Sequence, residues 1–69
     1  MGNQTVETRT VSGVKVDIVG CWDNDTPEGK YDFYDLFVDG ECINIGEPCY
    51  TKPTNDDIEA FLELRELLK

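Results

Sequence analysis

Histidine is absent from this chain, and serine occurs only at Ser12. Without an imidazole there is no ready general base near neutral pH, and neither a Ser-His nor a Cys-His nucleophile pair can be assembled. Basic residues are scarce as well: six Lys and Arg stand against fifteen Asp and Glu, a formal net charge of -9 at pH 7. That balance repels nucleic-acid phosphates and anionic lipid headgroups, so direct binding to nucleic acid or membrane is not expected. No apolar run approaches the roughly 20 residues that cross a bilayer, and the opening MGNQTVETRT lacks the apolar centre of a secretory signal. Val6 stands where a myristoylation signal needs Ser or Thr, so Gly2 does not complete one. A cytoplasmic protein is the expectation.

Cysteine is sparse and poorly spaced for chemistry. Cys21, Cys42 and Cys49 form an odd set with no Cys-x-x-Cys pair. Neither a disulfide framework nor a zinc site follows, and reduced thiols are expected, with Cys21 and Cys42 buried and Cys49 exposed in its Pro-flanked segment. Residues 24–35 match a calcium loop only in Gly29 at the sixth position; Asn24 and Asp35 replace its first and last carboxylate ligands, and the flanks read as strands rather than helices. No metal ligand, cofactor or catalytic residue is therefore assigned, and the chain is not expected to be an enzyme.

What is present reads as one small domain, residues 1–69. A chain of this length buries a modest fraction of its unfolded surface, which makes a partner surface a useful addition. From Thr5 to Trp22 the sequence is rich in β-branched residues, with Ser12-Gly13 as a two-residue turn. Pairing Val11 with Val14 sets Arg9 opposite Val16 and Glu7 opposite Ile18. Val11, Val14, Val16 and Ile18 then share one face, and Thr8, Thr10, Lys15 and Asp17 the other. Residues 23–30, DNDTPEGK, form a predicted surface loop.

A second hairpin is predicted around Asp39-Gly40, a dipeptide suited to a type I′ turn. Its register sets Val38 opposite Glu41, Phe37 opposite Cys42, Leu36 opposite Ile43, Asp35 opposite Asn44 and Tyr34 opposite Ile45. One face then carries Tyr34, Leu36, Val38, Ile43 and Ile45, an apolar core face. The other carries Tyr31, Phe33, Asp35, Phe37, Cys42 and Asn44, half aromatic and half polar. After Pro53 a helix is expected, with Thr54 as N-cap and Asp57 completing a capping box. Ile58, Phe61, Leu62 and Leu68, joined by Leu64 or the stem of Arg65, make its apolar stripe. The predicted fold class is α+β: a small antiparallel sheet of two hairpins, β-β-β-β-α, with the C-terminal helix packed on one face.

A helix on one side leaves the other side of the sheet uncovered. Eight of the fifteen acids lie between Asp23 and Glu47, where Lys30 is the only base. Tyr31, Asp32, Phe33, Asp35, Phe37 and Asp39 are the candidate partner-binding residues, the rings as anchors and the carboxylates as steering charges. The functional expectation is a small acidic protein-binding or regulatory module, an inhibitor or a nucleic-acid mimic docking on a basic protein. The alternative is a homodimeric structural domain, with Phe33 and Phe37 packed against their symmetry mates. A third arrangement folds Phe33 and Phe37 under the 23–30 loop or Trp22 as a small second core.

Overall fold

A computed structural model describes residues 2–67. Four antiparallel strands form one sheet in chain order: β1 (Gly2–Val11), β2 (Val14–Trp22), β3 (Phe33–Val38) and β4 (Glu41–Cys42). One helix, α1 (Asn55–Leu64), follows. This is the predicted α+β arrangement.

Both hairpin turns form where the sequence places them. Ser12 and Gly13 have φ of 51° and 81°, and Asp39 and Gly40 have 50° and 83°, the doubly positive φ pattern of a type I′ turn. The pairs Val11–Val14, Arg9–Val16 and Glu7–Ile18 hold as predicted. Between Thr5 and Glu7 the register shifts, leaving Val6 as a bulge residue that packs against the core.

β3 pairs with β2 so that Leu36 lies opposite Ile18 and Phe37 opposite Asp17. The core is built on this side of the sheet: Val11, Val16, Ile18, Leu36 and Ile43 meet Ile58 and Leu62 of α1. Ile18, Leu36, Ile58, Leu62 and Val16 are its largest fully buried side chains. Each such side chain contributes roughly 1.5–3 kcal/mol of transfer free energy.

The second hairpin departs from its predicted register after Cys42. Phe37–Cys42 and Val38–Glu41 pair as expected, and the Ile43 amide still donates to the Leu36 carbonyl at 2.9 Å. There the strand ends. Asn44, 2% exposed, turns its side chain into the position of a strand backbone: Oδ1 accepts from the Leu36 amide at 3.0 Å, and Nδ2 donates to the Tyr34 carbonyl at 3.2 Å. Ile45, expected opposite Tyr34 on the core face, is 69% exposed in the turn that follows. Cys49 takes its place, its carbonyl accepting a hydrogen bond from the Tyr34 amide at 2.7 Å. It is therefore half-buried, not exposed as its Pro-flanked setting suggests.

Thr54 caps α1 through the predicted capping box: its hydroxyl accepts from the Asp57 amide, and the Asp57 carboxylate accepts from the Thr54 amide. Two arginines tie the helix to opposite edges of the sheet. Arg9 on β1 donates to the Pro53 carbonyl and to Asn55 Oδ1, both at 3.0 Å. Arg65, at the helix C-cap, donates to the Ile43 carbonyl just beyond β4 at 3.1 Å. Leu64 is 66% exposed, and of the two residues expected to join the stripe it is Arg65 that reaches the sheet, through this hydrogen bond. Leu68, assigned to the same stripe, lies outside the described residues.

Candidate functional site

Side-chain alternation assigns the two faces of the sheet. Thr5, Asp17, Val19, Cys21, Phe33, Asp35 and Phe37 point away from α1, because they pair among themselves across β1, β2 and β3. The one helix of the described chain, α1, packs on the opposite side through Ile58 and Leu62. Phe33 and Phe37 flank Asp35 on one strand, and all three are half-buried. Asp17 accepts from the Thr8 hydroxyl at 2.8 Å, and Asp35 accepts from the Cys21 thiol at 3.7 Å. A shallow hollow of about 250 Å³ is bordered by Asn3, Asp17, Val19, Cys21, Asp35 and Phe37.

Of the six candidate residues, the fold gathers three on this face: Phe33, Asp35 and Phe37. The other three go elsewhere for identifiable reasons. Asp32 is a bend residue whose amide donates to the Cys21 carbonyl at 2.8 Å. Its carboxylate accepts from the Asp23 amide at 3.0 Å and from the Thr26 hydroxyl at 2.7 Å, which ties down the 23–30 loop. That bend breaks the alternation, so Tyr31 crosses to the helix side, where its ring lies over Gly20. Asp39 is the first central residue of the β3–β4 turn, exposed at the tip of the hairpin.

The rings that do form a cluster are therefore not Phe33 and Phe37 under Trp22, as one reading of the sequence has it. They are Trp22, Tyr31 and Tyr34, on the helix side of the sheet but at the end where the 23–32 connection lies. Trp22 and Tyr31 have centroids 6.0 Å apart with planes at 59°, and Tyr31 and Tyr34 are 5.7 Å apart at 50°. A Cβ on Gly20 would lie 2.4 Å from Tyr31 Cδ1, and one on Gly2 would lie 2.4 Å from Trp22 Cζ2. Both rings rest on sheet backbone that any side chain would push away. Gln4 Nε2 donates to the Tyr31 hydroxyl at 2.7 Å, fixing that ring. The sequence holds one cue to this cluster, a glycine inside the valine-rich run of β2, which marks a close approach without naming what approaches.

Cys21 and Cys49 sit in settings that suppress thiolate formation. Burial pushes the Cys21 thiol up from its ordinary value, and the adjacent Asp35 carboxylate pushes it further. Burial also raises the Cys49 thiol. All three cysteines are free, and the Cys42 thiol donates to Asn44 Oδ1 at 3.1 Å. Among the described residues no three Cys, Asp or Glu side chains converge in a metal-binding arrangement, and no helix is long and apolar enough to cross a membrane. Comparison of the chain with protein-family models, with curated proteins and with solved structures finds no match.

Proposed function

We propose that the protein is a small acidic binding module, not an enzyme, whose open sheet face docks on a basic protein. The observation that carries this reading is the Phe33–Asp35–Phe37 row on the side of the sheet opposite α1, with Val19 and Asp17 beside it. The rings supply apolar contact that a partner desolvates, and the carboxylates supply charge for its Lys or Arg. Two carboxylates set among apolar side chains make a mixed surface rather than a file of evenly spaced negative charges. An inhibitor-type contact therefore fits better than phosphate mimicry. An isologous homodimer through this face would bring Asp17 and Asp35 of two copies, each chain at -9, into proximity, a cost that a basic partner reverses. Three unpaired thiols suit a reducing cytoplasm as the place of action.

Light scattering across concentration, combined with capture from the source lysate by wild type and Phe37→Asp, tests this. A monomer is expected that retains a basic protein through the wild-type face and loses it on Phe37→Asp, with the circular dichroism of the fold unchanged. The association rate should fall with salt as the Debye length shortens from about 10 Å at 0.1 M to about 3 Å at 1 M. A wild-type dimer that Phe37→Asp splits would replace this reading with the homodimer. Capture insensitive to both the substitution and salt would remove it altogether.

A further inference from the structure

Another concave surface lies at the opposite side of the sheet from the proposed docking face and has a different chemistry. It is an open groove of about 670 Å³ between the Trp22 and Tyr31 rings and the 23–30 loop, bordered also by Gln4, Asp23, Glu28 and Lys30. Its volume falls in the range of small-ligand sites. The two rings are in tilted contact, centroids 6.0 Å apart with planes at 59°, and both border the groove at an angle to one another, with Tyr34 packed behind Tyr31. Each ring is seated on a glycine, and the Tyr31 hydroxyl is held by Gln4, so the ring pair exists before any ligand arrives. The loop is held in the same way, by the Asp32 carboxylate on the Asp23 amide and the Thr26 hydroxyl.

We propose that this groove holds a methylated ammonium group. The face of an aromatic ring attracts a cation through its quadrupole, indole most strongly, and two rings at an angle present two such faces to one charge. The Asp23 and Glu28 carboxylates at the rim add a field of the matching sign, and they outnumber Lys30. A methylated ammonium suits the ring pair better than a bare one. A lysine ammonium carries three N–H donors that each need an acceptor, and ring faces satisfy them poorly. Quaternary nitrogen has no donors, and its methyl groups bury against the rings as apolar surface.

Trp22 is the only tryptophan, so its emission in the intact chain reports directly on the groove. Choline is titrated at constant ionic strength against its neutral carbon isostere, in which a tert-butyl group replaces the trimethylammonium. A saturable change with choline is expected, with the isostere about tenfold weaker or worse because it has the shape without the charge. Glu28→Gln, an exposed position, should weaken choline severalfold and leave the isostere unchanged. Tyr31→Leu should abolish choline binding; if it also disturbs folding, the Glu28→Gln comparison still decides. A peptide carrying trimethyllysine is the second probe. Tighter binding of the peptide assigns the groove to a modified protein tail, and tighter binding of choline assigns it to a small solute. Equal affinity for choline and the isostere, or no saturable response to either cationic probe in the millimolar range, overturns the proposal.

Discussion

Asn44 decides how the second hairpin ends. Its side-chain amide matches a peptide group in having one carbonyl and one N–H face, so it can stand in for a strand residue at the edge of β3. Asn44→Ala would leave the Leu36 amide without its acceptor in a buried place, which costs roughly 1–3 kcal/mol. Urea unfolding should show the unfolding free energy falling by that amount, as a lower midpoint with an unchanged slope. An unchanged midpoint would mean that water or the chain itself replaces the bond. Glu7 acts on a different condition. Hydrogen bonds from Arg9 and then from Lys52 lower its pKa from 4.5 to about 2. A carboxylate with a depressed folded pKa contributes its full stability above the unfolded value and loses it as pH falls through the folded one. The Glu7 contribution should thus be intact above pH 4.5 and fade progressively towards pH 2. Thermal melts of wild type and Glu7→Gln should converge as pH falls through this window; parallel curves would show that the pairing contributes nothing.

At the scale of elements, the end of α1 carries an avoidable strain. The Leu67 amide donates to the Leu62 carbonyl at 2.8 Å and the Glu66 amide to the Glu63 carbonyl at 3.0 Å, the paired bonds of a Schellman motif. Glu66 must then sit at φ 58°, left-handed backbone that disfavours a side chain. Glu66→Gly should raise stability by about 1 kcal/mol in urea unfolding, because glycine meets no Cβ clash there. A loss instead would show that the Glu66 side chain makes a compensating contact.

The elements that could be read from sequence are those whose signal is a local repeat. The first hairpin, the Asp39-Gly40 turn and the Thr54 cap are each specified within a few residues. Three features were not legible because a single side chain overrules the repeat. Asn44 replaces backbone and throws Ile45 outward, Asp32 bends the chain and carries Tyr31 to the opposite face, and Val6 inserts a bulge that no alternation pattern marks. The candidate site shared this fate: Phe33, Asp35 and Phe37 lie within one regular strand and stayed together, while Tyr31 and Asp32 lie beyond its end. The Trp22–Tyr31 ring pair depends on pairing between residues far apart in the chain, which periodicity does not see.

Over the whole molecule, the principal dimensions of 41 × 21 × 20 Å reflect a sheet much longer than its helix. A ten-residue helix spans about 15 Å, and strands of nine or ten residues span about 30 Å. Both tight turns fall at one end of the sheet, so the Val16, Ile18 and Leu36 core lies there under α1, and the other end has the loop, Gly2 and the ring cluster. The Val6 bulge marks the passage between them. β2 runs unbroken through both, which makes its backbone a gradient. Amides near Val16 and Ile18 are locked by the packed helix, and those near Cys21 and Trp22 are held by the first residues of β1 and the start of β3 alone. Hydrogen exchange should therefore be faster at the Cys21 and Trp22 amides than at those near Val16 and Ile18, and equal protection along β2 would show that the two ends open as one unit.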